Sequence, residues 1–236
     1  HKTGKISALE REKESPLFTL TNVYGIGPKK AKELIDGGID SIEKLRANTN
    51  LLNEKQKIGL SYYEPLQQRI PREEILRYQK TFKTLLAEYE YEIVGSFRRG
   101  AKHSGDIDVI LKNAPLETLM KRLVEQQIIT EILSLGKHKC LCITKLDNGP
   151  YCRVDFLTTS TEEYPFSLLY FTGSKVFNTI MRGRAVTLGY TMNEHGITTK
   201  SKQKIPQTFT SEQDIFDFLG IESVSYTHLR AHETFG

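Results

Sequence analysis

Apolar residues change their spacing along this chain, and each change marks a new block. Residues 1–15 are polar and charged, with L-E-R-E-K-E reading as helix. Residues 16–70 read as helical throughout. Here L-T-N-V-Y-G-I-G-P-K-K-A-K-E-L-I holds a sharp turn at Gly25-Ile26-Gly27, with Pro28 suited to a helix's first turn. Leu34 and Ile35 mark that helix's apolar side, and Gly37-Gly38 ends it. The next helix is I-D-S-I-E-K-L-R, with Asp40 or Ser41 as its N-cap.

Ile70-Pro71 marks a boundary. Beyond it, apolar residues at 75, 76, 78, 82, 85, 86 and 89 keep a helical period. Strands then dominate: Y-E-I-V-G, D-I-D-V-I-L-K, K-C-L-C-I-T-K-L and Y-C-R-V-D-F-L. G-S-F-R-R-G lies between the first two as a loop or short helix start, and L-E-T-L-M-K-R-L-V-E-Q follows the second as a helix. Asp147-Asn148-Gly149 reads as the hairpin turn between the last two strands. From about Glu162 the pattern is helical again. One helix breaks at Thr172-Gly173 and a second ends at Gly189. M-N-E-H-G-I-T-T-K forms a hairpin arm, and a last helix is capped by Ser211, with Asp214 in its first turn.

The class is therefore α+β: a mixed sheet flanked by a helical block and a small α+β block. The expected division is 1–15 as the end of a preceding segment, 16–70 helical, 71–160 sheet-bearing, 161–224 as the third block, and 225–236 as a tail. Composition agrees with a folded chain: 236 residues, 38% hydrophobic and 26% charged. No run of about 18 apolar residues offers a membrane span. The first residues carry no apolar signal segment and no Met, so the chain is read as beginning inside a longer protein of the cell interior. A net charge of +4 and pI of 8.8 permit nucleic-acid binding without requiring it. Three cysteines, Cys140, Cys142 and Cys152, are too few for a disulfide framework and read as small buried residues.

Candidate chemistry centres on three acids. Asp106 and Asp108 sit in S-G-D-I-D-V-I-L, and Asp155 in C-R-V-D-F-L. Acids in such apolar strands are costly unless they serve something. Alternation puts Asp106 and Asp108 on one face, where they repel unless a cation lies between them. With Asp155 on a neighbouring strand, the three form hard oxygen ligands suited to two Mg²⁺ ions about 3.5–4 Å apart, with Mn²⁺ as a substitute. Edge-strand acids facing solvent are the plainer alternative for D-x-D alone; the apolar flanks and the third Asp weigh against it.

Upstream, Gly95–Gly100 carries Ser96, Arg98 and Arg99 in a glycine-flanked turn that suits a triphosphate. In the helical block, Gly25 and Gly27 let a backbone approach closely, a helix N-terminus follows, and Lys29 and Lys30 add charge. That is the form of a helix-hairpin-helix gripping DNA phosphates, although G-x-G alone is also an ordinary helix start. Tyr170-Phe171 before the break at Gly173 form either a sugar pocket that rejects a 2′-hydroxyl or core aromatics. Arg153 shares a strand face with Asp155, to neutralise a primer phosphate or pair with an acid. Asn178, Arg182 and Glu194 are polar residues near that pocket, each plainly readable as surface.

Taken together, T-N-V-Y-G-I-G-P, Q-R-I-P-R-E-E, G-S-F-R-R-G-A-K-H-S-G-D-I-D-V, R-V-D, Y-F-T-G-S and N-E-H resemble the family X DNA polymerases, from about Thr3 to Ile221. The resemblance implies a nucleotidyltransferase-type palm at 71–160, a helix-hairpin-helix DNA-binding block and a nucleotide-selecting third block. It implies Asp106, Asp108 and Asp155 as metal ligands and catalytic residues, with Arg69, Ser96, Arg99 and Gly105 facing the triphosphate. Tyr170, Phe171 and Gly173 would hold the sugar, Asn178 the base and Arg153 the primer end. Arg182 and Glu194 would lie at the template side. Backbone carbonyls of Thr21, Val23 and Ile26 would hold Na⁺ or K⁺ beside DNA.

The implied activity is template-directed DNA synthesis that fills short gaps for repair. The chain would work as a monomer on gapped or primer-template DNA with dNTPs, in the nucleus if the cell has one. Y-F-T-G-S resembles the template-dependent members. Two other classes stand beside this one: a catalytically silent DNA-end scaffold, and a nucleotidyltransferase acting on RNA or a small molecule. The chain departs from the family at Lys175 and in lacking the amino-terminal lyase domain, so no lyase activity is expected. It also departs after Val224, where 225–236 reads as a non-native tail, with simple divergence as the alternative.

Overall fold

The computed structural model describes residues 15–221. The expected L-E-R-E-K-E helix and the tail at 225–236 lie outside the described residues. The chain divides into two compact units, residues 1–68 and 69–236.

In the first unit the described residues are helical, as the spacing predicts. Helix α1 (Pro16–Thr21) is capped by Ser15, and α2 (Pro28–Asp36) starts at Pro28 and stops at Gly37. For α3 (Ile42–Ala47) the cap is Ser41, whose hydroxyl accepts from the Lys44 N–H; Asp40 instead pairs with the Lys44 ammonium at 2.8 Å. A 3₁₀ turn (Thr49–Leu51), α4 (Glu54–Ser61) and α5 (Tyr63–Gln67) complete it. Leu20, Val23, Ile26, Ala31, Leu34, Leu45 and Leu60 form its core.

Helix α4 carries the turn between α1 and α2. Gln56 is buried; its amide donates to the Gly25 carbonyl at 3.0 Å and its oxygen accepts from the Asn53 N–H. One turn on, a Cβ at Gly59 would lie 2.2 Å from the Tyr24 carbonyl oxygen, so only glycine fits. Gly25 itself has φ +84°, the left-handed region that glycine enters freely.

The second unit opens with β1 (Ile70–Pro71) and α6 (Arg72–Leu85). Its central sheet comprises β2 (Tyr91–Ile93), β4 (Ile107–Lys112), β5 (Ile129–Leu135), β6 (Lys139–Thr144) and β7 (Cys152–Thr159) in the order β2-β4-β7-β6-β5. Strands β4 and β7 are parallel and the other neighbours antiparallel, so the sheet is mixed. A short α7 (Gly95–Arg98) follows β2, and β3 (His103–Ser104) pairs with β1.

The two sheet faces differ. On one, Ile107, Val109, Leu111, Val154, Phe156, Cys140 and Cys142 pack under Ile75, Tyr78 and Phe82 of α6 and Leu119, Met120 and Leu123 of α8 (Leu116–Glu125). All three cysteines are buried thiols, as expected. The other face carries Ile110 and Leu157, clustered with Val94 and with Tyr164 of α9 (Tyr164–Thr172). Beyond it lie α10 (Lys175–Thr187), the hairpin β8–β9 (Tyr190–Asn193, Gly196–Thr199) and α11 (Glu212–Leu219). Phe166, Leu169, Phe177, Met181, Ile197, Ile215 and Phe216 form their core.

Two features differ from the sequence reading, strand β5 and the short β1–β3 pair. Strand β5 was not expected. Register shifts after Ile129 and Ile132 break its alternation, and Ile132 and Leu135 remain exposed. Strands β6 and β7 are antiparallel and joined over residues 145–151, with a turn at Asp147-Asn148-Gly149 as the sequence reads: the Gly149 N–H donates to the Leu146 carbonyl at 2.7 Å. Asp147 has φ +45°, and a Cβ at Gly149 would meet Glu74 Oε1 at 2.6 Å. The same Cβ would lie 2.9 Å from the Leu146 carbonyl oxygen, so the turn and the packing against α6 both ask for glycine.

Candidate active site

Register brings the three acids together. In the parallel pair β4–β7, Asp108 and Asp155 are direct Cα partners. Asp106 precedes Asp108 by two residues, at the entry to β4, on the same face. This is the face bearing Ile110 and Leu157, which continue the alternation away from the acids.

The charges are compensated by neighbouring cations. Arg153, two residues before Asp155 on β7, donates to Asp106 Oδ2, and its Nε lies 3.7 Å from Asp155 Oδ1. Lys139 Nζ lies 3.1 Å from Asp155 Oδ2. Burial, then the charges of Asp106 and Asp155, push the Asp108 carboxyl up to about 7. Asp155 Oδ1 is buried without a hydrogen-bond partner.

Among the described residues, no three His, Cys, Asp or Glu side chains are already arranged to hold an ion. Two of the three acids here are held by basic side chains instead. The donor set still fits a hard divalent cation: three carboxylates on one face, one raised by burial and by its like-charged neighbours and one with a buried orphan oxygen.

The glycine loop borders the acids. A Cβ on Gly95, at φ +63°, would stand 2.5 Å from Asp108 Oδ2. Ser96 donates to the Ser104 hydroxyl at 2.8 Å, Gly105 is exposed, and Arg69 Nη2 donates to the His103 carbonyl at 3.0 Å. Arg99 Nη1 donates to the Thr172 carbonyl at 2.6 Å. Arg98 makes a two-pronged pair with Glu212 of α11, at 2.8 and 2.7 Å, and donates to Thr172 Oγ1 at 2.9 Å. The loop is thus joined to both α9 and α11.

Tyr170 and Phe171 meet edge to face, with ring centres 5.1 Å apart, and Asn178 Nδ2 donates to the Tyr170 carbonyl at 2.8 Å. Gly173 ends α9 at φ +63°, with Arg99 Nη1 3.5 Å from where its Cβ would be; a cis peptide joins it to Ser174. Arg182 is exposed on α10, while the Glu194 carbonyl accepts from Ser167 Oγ at 3.0 Å. Arg182 lines a cleft of about 680 Å³ with Glu163, His195 and Lys204, apart from the acids.

In the first unit, Val23 and Ile26 are buried in the turn, where the Ile26 N–H donates to the Val23 carbonyl. Thr21 Oγ1 turns back to the Leu17 carbonyl at 2.8 Å. Gly25, Gly27 and Lys29 are exposed, and Lys30 pairs with Glu33 at 2.8 Å. Two contacts escaped the sequence reading. Lys139 lies in K-C-L-C, where alternation gives its face but not its neighbour; the Arg98–Glu212 pair joins residues 114 apart in the chain.

Comparison with known proteins extends over most of the chain. Residues 19–67 match the fingers domain of DNA polymerase lambda, 69–161 the DNA polymerase beta palm, and 167–228 the DNA polymerase beta thumb. DNA polymerase lambda of Arabidopsis thaliana is 28% identical over 254 residues, covering 92% of this chain and 48% of that protein. DNA polymerase lambda of Rattus norvegicus is 28% identical over 250 residues, covering 93% and 43%. DNA-directed DNA/RNA polymerase mu of Homo sapiens is 25% identical over 264 residues, covering 92% and 52%. The chain spans about half the length of these relatives. With fingers, palm and thumb models matched in order along it, the chain belongs to the family X DNA polymerases.

Proposed function

We propose that this chain is a template-directed DNA polymerase that adds a deoxynucleotide to a primer 3′ end and fills short gaps during DNA repair. The observation that carries the reading is the register of Asp108 against Asp155, with Asp106 on the same face. Family membership and the match to polymerases lambda and mu support it.

In this reading Asp106, Asp108 and Asp155 would hold two Mg²⁺ ions, with Mn²⁺ as a substitute. When bound, such ions lower the pKa of the 3′ hydroxyl and neutralise charge on the triphosphate. Asp155 would accept the hydroxyl proton. The 3′ oxygen then bonds to the α-phosphorus, and the bond to the leaving pyrophosphate breaks. Ser96, Arg99, Gly105 and Arg69 face the triphosphate, with Arg99 exchanging the Thr172 carbonyl for a phosphate oxygen. Arg153, released from Asp106, meets the primer end. Tyr170, Phe171 and Gly173 bound the sugar and exclude a 2′-hydroxyl, Asn178 meets the base, and Arg182 and Glu194 lie toward the template.

Gly25, Gly27, Lys29 and Lys30 grip phosphates of gapped or primer-template DNA. Carbonyls of Thr21, Val23 and Ile26 would hold Na⁺ or K⁺ beside them. The enzyme acts as a monomer inside the cell, in the nucleus of a eukaryote. No helix among the described residues is long and apolar enough to cross a membrane.

The test is primer extension with and without template. Asp155→Ala is expected to abolish dNTP incorporation while DNA affinity stays within about twofold. Incorporation at the wild-type rate by that variant refutes the reading.

A further inference from the structure

We propose that Lys139 is a built-in competitor for the divalent cation at Asp155, so that an ion enters the site by displacing an ammonium group. The inference rests on the reading of the three acids as ligands, but concerns a residue outside that set.

Its basis is the geometry of the β6–β7 pair. Lys139 is the Cα partner of Leu157, and Leu141 is the partner of Asp155. Leu157 and Asp155 share a face, so Lys139 is a diagonal neighbour of Asp155 on that same face. Such neighbours are separated by about 7–8 Å, within reach of a lysine but not of a short side chain. The ammonium closes that gap, 3.1 Å from Asp155 Oδ2. The two partners are unequal: the Asp155 side chain is 8% exposed and that of Lys139 is 46% exposed. The acid is fixed in the sheet, whereas the lysine is half in water and can leave.

Arg153 covers Asp106 in the same way, yet also stands 3.7 Å from Asp155 Oδ1. Its removal would disturb two acids at once. Lys139 makes one ion pair, with Asp155, although its charge also reaches Asp108, and it lies at the start of β6, away from the buried face. It is therefore the side chain whose removal isolates the competition. A positive charge beside a carboxylate oxygen lowers that oxygen's affinity for any cation, both by repulsion and by occupying the direction of approach.

The experiment uses Mn²⁺ alone, titrated into the full chain without DNA or dNTP, with free Mn²⁺ read by electron paramagnetic resonance. Lys139→Met should bind Mn²⁺ about fivefold more tightly than wild type, the worth of a half-exposed ion pair. Lys139→Arg should match wild type, because it restores the charge. Lys139→Gln is a second neutral variant, expected to follow Lys139→Met. Unchanged or weaker binding in folded neutral variants overturns the proposal. Asp155→Asn separates the two readings. If it loses Mn²⁺ binding while the neutral variants behave as wild type, the competition fails and the acid site stands. If it binds as tightly as wild type, the acid site itself is refuted.

Discussion

Gly95 sits where no other residue fits. Its φ of +63° is one obstacle; the Asp108 carboxylate, 2.5 Å from where a Cβ would be, is another. Gly95→Ala must push that carboxylate aside or strain the loop, at a cost of about 1–3 kcal/mol. The expected outcome is a lower melting temperature together with loss of incorporation, from a substitution that removes no polar group. Wild-type activity in Gly95→Ala would show that the position of Asp108 does not matter. Sequence alone exposed the acids, because charged residues inside apolar strands stand out. It did not reveal why Gly95 must be glycine, nor the partner of Lys139. Both depend on which residue of a neighbouring strand or loop lies alongside, and alternation fixes a face without fixing a register.

Among the elements, α7 and α11 are joined by the Arg98–Glu212 pair. The two side chains are 19% and 15% exposed and meet through two hydrogen bonds. A pair this buried is costly to break from one side, since the survivor keeps its charge. A double-mutant cycle with Arg98→Met and Glu212→Met, followed by thermal unfolding, should give a coupling of roughly 1–3 kcal/mol. A coupling near zero would mean that the pair does not hold α11 to the loop. Helix starts and stops were readable because their caps are local: Ser211 and Ser41 bond three residues ahead. Strand β5 was not readable, because its bulges break the two-residue period that reveals a strand. The turn at Asp147-Asn148-Gly149 was readable for the same local reason as the caps, whereas the packing of Gly149 against Glu74, 75 residues earlier, was not.

At the scale of the whole molecule, charge and sheet order set the behaviour. A net charge of +4 is modest, so the DNA affinity proposed for this chain would come from placed cations rather than from the overall field. Binding to gapped DNA should weaken steeply with salt. Lys29→Ala and Lys30→Ala should each lower the slope of log K against log salt by about 1. An unchanged slope in both variants would remove the first unit from the DNA interface.

The order β2-β4-β7-β6-β5 has one further consequence. The two acid-bearing strands are the inner neighbours, each bonded on both sides, while β5 is a bulged margin. Amide protons of Val109 and Phe156 should therefore trade with deuterium only in global opening events, long after those of β5 have done so. On the proposed reading, the carboxylates are then seated in the part of the sheet expected to open last.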